Sequence, residues 1–559
     1  MKKKGFAKFA EFLQMHIVAI VVIAAVIAGS VAMYKIITED KDSQSGGTSS
    51  TDVYEDADEI YLAMYNPRSF NVYASSDEDI IYLNNIIYGS LFKLDSTLNI
   101  KPDLVSTYST DTEAGTVTIS LRGDAFFSDG TAVSSYDVRQ SVREIKQVGS
   151  SSPYYAYASK IDSVEISDDR NFTIYFSSPA DASLDNLVFP IISYDLYETG
   201  EDFAIGTGPY AYSTYSEEEG YLKLVPNEYY YGGKPKLPIT VKITSDKSHI
   251  PGFITMNSVT AFLYKDSDGA VIAEDRSLYS EQVVSSELEY VGFNCSKGLL
   301  SDSRMRRAIA KSVDVSRIIE EDYGGAGTAS DSVYFPNFLG AAENHDLEYK
   351  PNEAEDLLNE MGLVDSDRDG VRENSDGTPI TLTIIVNSDN VSRKDAADLI
   401  AKSLEEMGIT VVVNALSQAE FDAALKAGNF DMFIYGYRFD KQFNLSVLFS
   451  SGNYAKYSDA ETDSLLAALE TALTPEQQRT AFESLKAKIN SDAPYFPICY
   501  KNYTFMAVDT FQSSGSPLYF DPYRSCSTWS WKQKISTDDT STTDQGTDTT
   551  DSSTQGSNG

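Results

Sequence analysis

Residues 380–413 set the tightest limit on the fold. Ile380-Thr-Leu-Thr-Ile-Ile-Val386 and Ile409-Thr-Val-Val-Val413 are β-branched runs of strand length. Between them, residues 394–407 place Ala397, Ile400, Ala401 and Leu404 at the spacing of one helical face. A strand, a helix and a strand in that order need a crossover, so the sheet is at least partly parallel and the helix covers it. Residues 115–121 and 171–176 alternate with period two instead, as half-buried strands do. The spacing of Met305, Ala308, Ile309 and Val313 predicts a helix over 302–321 with Asp302 as its N-cap. Thr474-Pro475 opens another that runs toward Ile489 and ends at Asp492-Ala-Pro494. The predicted class is α/β, with mixed α+β sheets.

The chain has 559 residues, enough for more than one folded unit. Its 83 acidic residues against 45 basic ones give a net charge of −38, which excludes nucleic acid as a partner. Cys295, Cys499 and Cys526 can close one disulfide at most, and three histidines leave little room for a histidine metal site. Neither G-x-S-x-G nor H-E-x-x-H occurs, and Lys234 is followed by Pro235, so Gly232-Gly233-Lys234 is no phosphate loop.

Residues 1–16 form a basic segment assigned to the cytoplasm. Residues 12–34 carry no fixed charge, and about 20 apolar residues span a bilayer as a helix. Residues 17–37 are therefore expected to anchor the protein with its globular part outside. The alternative is a signal peptide cleaved after Ser30-Val31-Ala32 and a secreted protein. Residues 38–58 read as a flexible spacer. Residues 535–559, rich in Ser, Thr and Asp, cannot bury enough surface to fold and read as a disordered tail. That leaves 59–534 as the folded part.

A series of short motifs runs through that part in one order. It includes Asn85-Ile-Ile-Tyr-Gly-Ser-Leu91, Lys101-Pro-Asp-Leu104, Phe127-Ser-Asp-Gly-Thr131 and Ser135-Tyr-Asp-Val138. Gly206-Thr-Gly-Pro-Tyr210, Phe293-Asn294 with 302–314, Asn429-Phe-Asp431 and Asp492-Ala-Pro-Tyr-Phe-Pro497 follow. The series resembles the extracytoplasmic solute-binding proteins of peptide ABC importers, the oligopeptide- and dipeptide-binding type (family 5). The resemblance implies a two-lobed clamp with an additional inserted subdomain. One lobe would comprise 59–90, 206–287 and 495–534, the insert 91–205, and the second lobe 288–494. It implies a monomer that captures a peptide and delivers it to ABC permease subunits, with no catalysis and no required cofactor. Other solutes (an oligosaccharide or a metal chelate) and a peptide sensor without transport remain alternatives.

The resemblance also places functional residues. Asp440 ends a segment whose aspartate holds the peptide α-ammonium, Tyr437 would wall a side-chain pocket, and Asn71 lies in the strand 66–72 expected along the ligand. The plainer account of Asp440 is a loop aspartate beside Arg438 and Lys441. The tyrosines at 154, 155, 157 and 229–231 either line a cleft or pack. Arg304, Arg306 and Arg307 are expected on a helix surface or in ion pairs between lobes. From the residues alone, Asp365-Ser-Asp-Arg-Asp-Gly370 has the D-x-D-x-D-G spacing of a calcium loop. Asp365, Asp367, Asp369, Glu373 and Asp376 are its candidate Ca²⁺ ligands, against a plain polar connection.

Overall fold

The computed structural model describes residues 53–111, 113–194, 202–440, 443–450, 452–472 and 474–535. The expected anchor at 17–37, the first part of the spacer and nearly all of the tail lie outside the described residues. Among the described residues no helix is long and apolar enough to cross a membrane. Val53–Asp56 and Lys532–Ile535 pair as a two-stranded sheet, and residues 56–533 form one unit.

The crossover predicted from the sequence is present. Thr381–Asn387 and Thr410–Leu416 pair in parallel, joined by the helix Val391–Glu406. Asn390 caps that helix, its side-chain oxygen accepting from the Arg393 amide at 3.0 Å. Ala396, Ala397, Ile400, Ala401 and Leu404 form its buried face. Complete burial of Ile400 and Leu404 contributes about 1.5–3 kcal/mol each. Met432–Arg438 pairs in parallel on the other side of Thr381–Asn387, reached through the helix Gln418–Ala427. A Ser417–Glu420 capping box opens this helix, and Gly428 closes it at φ +73°.

These strands belong to a seven-stranded sheet with Ala261–Tyr264, Tyr279–Phe293, Tyr495–Ala507 and the short Gly327–Thr328. Both faces of its central part are covered. Ile384, Val386, Met432 and Ile434 enter one apolar cluster, and Ile385 and Phe433 enter the other, as the two-residue period of a strand requires. A separate core gathers Ile60, Leu83, Tyr210, Leu222 and Val241 around the sheet Ile60–Tyr65, Ile239–Thr244, Tyr221–Pro226, Tyr210–Ser216. The antiparallel sheet Val105–Asp111, Thr116–Leu121, Asn171–Phe176, Ile161–Ile166 packs into the same core.

Two strands join these cores. Tyr279–Phe293 and Tyr495–Ala507 pair in register from Tyr279↔Ala507 to Val284↔Asn502, and pairing resumes at Leu288↔Tyr500. Ser285, Ser286 and Glu287 thus bulge opposite Lys501 alone. Val283 and Tyr503 belong to the first core, whereas Leu288 and Tyr500 belong to the second.

Two expectations need correction. The helix expected over 302–321 is two, Ser303–Ser312 and Val315–Asp322. Asp314 breaks it by accepting from the amides of Ser316 and Arg317 at 3.1 and 3.3 Å, which caps a new helix. Arg306 is buried, not on the surface. It donates to the carbonyls of Leu300 at 2.7 Å, Asp492 at 2.9 Å and Ala493 at 3.1 Å, and so satisfies the end of the helix Pro475–Asp492. Arg304 pairs on the surface with its own cap, Asp302. Cys295, Cys499 and Cys526 are free thiols.

Candidate functional site

Asp440 follows the strand Met432–Arg438 and is exposed. The Phe439 amide donates to the carbonyl of bulge residue Ser286 at 3.0 Å, which fixes Asp440 beside the junction of the two cores. Tyr157, from the short helix Tyr155–Ala158, and Tyr519 lie within reach of its charge. Burial pushes both tyrosine hydroxyls above their ordinary range, and the Asp440 charge pushes them further. Tyr519 is held from the first core: the Tyr82 hydroxyl donates to its carbonyl at 3.0 Å, and Asn85 to the next carbonyl at 2.8 Å. Three segments far apart in sequence therefore share the electrostatic field of one carboxylate.

Arg438 is directed elsewhere. Its guanidinium pairs with Glu287 and donates to the Tyr503 hydroxyl at 3.1 Å, and Tyr503 donates to Glu287 at 2.9 Å. Burial acts to raise the Glu287 carboxyl, but Arg438, Tyr503 and Lys501 together hold it below its usual range. Next to it Glu289 is 1% exposed and is gripped by Arg393 through two bonds of 2.7 and 2.9 Å, with Lys501 at 3.2 Å. Gly436 makes room for this pair. A Cβ there would stand 1.9 Å from Arg393 Nη2 and 2.6 Å from Glu289 Oε1. The bulge is thus braced by ion pairs internal to the protein.

The other candidates fall as follows. Tyr437 is half-buried, with its ring 4.8 Å from Phe439, and Phe439 lies 5.1 Å from Phe443 in an aromatic wall. Asn71 is buried and accepts from the amides of Tyr73 at 3.0 Å and Ala74 at 2.8 Å, so it shapes a turn. That turn approaches the tyrosine cluster through Tyr73, 6.2 Å from Tyr154. Tyr154 and Tyr157 are buried, and Tyr229 is exposed. Tyr231 bonds to Asp103 under the Arg122 guanidinium, remote from Asp440 in the chain. Tyr519 was missed in the sequence, because no local pattern marks it.

Asp365, Asp367, Asp369 and Glu373 converge, with one ligand-type oxygen from each within 4.8 Å of the others. Two oxygens on opposite sides of a calcium ion at about 2.4 Å are about 4.8 Å apart, so the set fits that ion. Asp376 is not in this group; it accepts from the Thr378 amide at 3.0 Å. The Asp365 carboxylate meanwhile accepts from the amides of Arg368, Asp369 and Gly370 at 2.6–3.1 Å.

Residues 99–456 match the family model described as bacterial extracellular solute-binding proteins, family 5 (middle). The chain belongs to this family. The oligopeptide-binding protein AppA of Bacillus subtilis is 24% identical over 469 residues, covering 78% of this chain and 84% of AppA. A glutathione-binding protein GsiB of Salmonella paratyphi A is 22% identical over 435 residues, covering 74% of this chain and 82% of GsiB. Among solved structures, the nickel ABC transporter protein of Bacillus halodurans superposes with a TM-score of 0.73 at 17% identity, covering 85% of this chain and all of that one. As a family 5 member this is a solute-binding protein of an ABC importer, extracytoplasmic in type and not an enzyme. The mixed α/β architecture is that of the family's two-lobed binding proteins.

Proposed function

We propose that the protein captures peptides between two lobes and delivers them to ABC permease subunits, with Asp440 receiving the peptide α-ammonium. The observation that carries this reading is the place of exposed Asp440, held beside the strand bulge between the cores by the Phe439–Ser286 hydrogen bond, with its charge acting on Tyr157 and Tyr519. An ammonium enclosed away from water needs a carboxylate, and aromatic walls accept varied side chains. The lobes correspond to 59–90, 206–287 and 495–534 with the insert 91–205, against 288–494. Their separate cores, joined by two bulged strands, suit closure about the bulge. A relative named for oligopeptides supports the peptide; relatives named for glutathione and heme keep another solute as the second reading.

Asp440→Asn keeps the shape and removes the charge. It is expected to weaken a free-amine peptide by about 2–4 kcal/mol, while an N-acetylated peptide binds the parent poorly and discriminates little between the two proteins. Calorimetric titration of both peptides against both proteins reads this as a cycle. Zero coupling between amine and carboxylate removes Asp440 from the site, and a parent that binds no peptide favours the other-solute reading.

For attachment, we propose residues 17–37 as an uncleaved anchor, on their uncharged composition and basic flank. Protease added to intact cells should digest the globular part, which should otherwise fractionate with membranes. Recovery in the medium with Met33 as first residue overturns the anchor.

A further inference from the structure

A cavity of about 340 Å3 opens between Leu98 with the 180–186 segment on one side and segments 334–339, 443–445 and 466–470 with Gln478 on the other. Its lining is divided. Leu98, Phe338, Leu339, Phe443 and Leu466 make an apolar wall. Asp181, Asp185 and Glu470 bring three carboxylates against the one ammonium of Lys160.

Two polar groups in the lining are poorly served by the protein itself. Tyr334 is 1% exposed, and its hydroxyl has no hydrogen-bond partner among the described residues. Its ring is clamped between Phe338 at 5.7 Å and Phe482 at 4.4 Å, so the hydroxyl cannot swing out to water. The charge of Glu470, which also lines the cavity, acts on it. Leaving a buried hydroxyl unsatisfied is costly, and an entering N–H donor would remove that cost. Asp185 accepts hydrogen bonds from two neutral donors, Ser183 Oγ at 2.8 Å and Gln478 Nε2 at 3.5 Å, and the Lys160 charge also acts on it, but burial outweighs all of these and pushes its carboxyl up. A desolvated carboxylate so placed gains most from a cation. The charges of Asp440 and Asp185 both act on the Tyr157 hydroxyl, and Phe443 lines the cavity three residues after Asp440.

We propose that this cavity is a subsite for a long cationic side chain of the ligand, of the lysine or arginine type. The methylene stem lies on the wall of Leu98, Phe338 and Phe443. The charged end sits between Asp185 and Glu470, and the Tyr334 hydroxyl accepts one of its N–H bonds. A bare metal ion would leave the apolar wall wet, and an anion would meet three carboxylates. The proposal rests on the peptide reading of the cleft.

The test uses the full chain and alanine tripeptides carrying Lys, norleucine or Glu at each position in turn, titrated calorimetrically. Norleucine keeps the stem and removes the charge. At one position Lys is expected to bind at least tenfold tighter than norleucine, with Glu weakest. Glu470→Gln, at an exposed helix-end residue, should reduce the Lys preference, and Asp185→Asn with Glu470→Gln should erase it. Tyr334→Phe should weaken the Lys peptide several-fold while raising the Tm of the unliganded protein, a pairing that a merely structural hydroxyl would not give. Equal binding of Lys and norleucine at every position, or a preference that survives the double variant, overturns the subsite. If no tripeptide binds, the peptide reading falls, and the cavity is probed with agmatine and pentylamine by thermal shift. A shift by these cations in the parent that is lost in the double variant then supports the subsite; no shift overturns it.

Discussion

Glu289 and Asp185 are both drawn out of water, one at the junction of the cores and the other in a cavity wall. Around Glu289 the chain supplies Arg393 through two bonds, Lys501 at 3.2 Å and the Tyr323 hydroxyl at 3.4 Å. Around Asp185 it supplies a serine hydroxyl, a distant amide and the charge of Lys160, which makes no bond to it. The Glu289 charge is neutralised within the protein, so it fixes geometry and offers nothing to a ligand. The groups around Asp185 do not offset the burial of its charge, so a further cation would stabilise it. A carboxylate's neighbours, more than its depth, separate bracing from recognition.

The largest effect expected from this contrast is at the braced carboxylate. Arg393→Met leaves Glu289 buried with only Lys501 as a cation and should cost about 3 kcal/mol in urea unfolding. Gly436→Ala attacks the same pair through space and should cost about 1–3 kcal/mol, since the added methyl displaces the guanidinium. Loss of less than about 0.5 kcal/mol in both would show that the brace is not structural.

A third treatment of acidic groups, at 365–373, lies between these two, because Asp365 is met by backbone amides. Calcium added after chelation should raise Tm by about 2 °C through mass action, and Asp367→Ala should abolish the response. An unchanged Tm would leave those carboxylates as turn acceptors.

The smallest effect is expected at the cavity. Burial raises the Asp185 carboxyl, so the folded state holds that proton to higher pH than the unfolded chain does. Its contribution to stability is complete below the unfolded value, about 3.9, and is lost as pH rises through the folded value. Asp185→Asn should remove this fall and leave the unliganded protein as stable as the parent, or slightly more so, at neutral pH. Thermal melts across pH 4–8 check the sign. A marked loss at neutral pH would mean that Asp185 braces the fold after all, and the contrast with Glu289 would collapse.

The parts of the fold legible in the sequence were those with local signals. The crossover at 380–413, the Asp302 cap and the Thr474-Pro475 helix start each rest on residues a few positions apart. The break at Val313 was missed because its apolar spacing continues through Asp314, whose cap competes with the helix. Arg306 was misplaced because its acceptors are carbonyls 186 and 187 residues away, which no side-chain pattern reveals. At the candidate site, the segment pointed to Asp440 as a candidate, but no local pattern pointed to Tyr519 or the cavity. They are assembled from segments that only tertiary packing brings together. In the acidic loop the sequence named both Glu373 and Asp376, and the turn at Arg368 and Gly370, with φ of 67° and 95°, brings Glu373 but not Asp376 to the three aspartates.

The route of the chain also sets an order of assembly. The Trp531 indole N–H donates to the Glu59 carbonyl, bridging 472 residues, and Ile60–Tyr65 pairs with Ile239–Thr244. The first core therefore cannot close until almost the last residue of the folded part has left the ribosome. Apart from Leu98, the buried residues of the second core all lie within one continuous stretch, 288–500. Contacts of such different sequence separation form at different rates, the distant ones last. In pulse-labelled hydrogen exchange during refolding, the amides of Thr381–Asn387 should gain protection before those of Ile60–Tyr65. The segment made first is thus the one that waits longest for its partners, and a chain that stays open this long is suited to being threaded across a membrane before it folds.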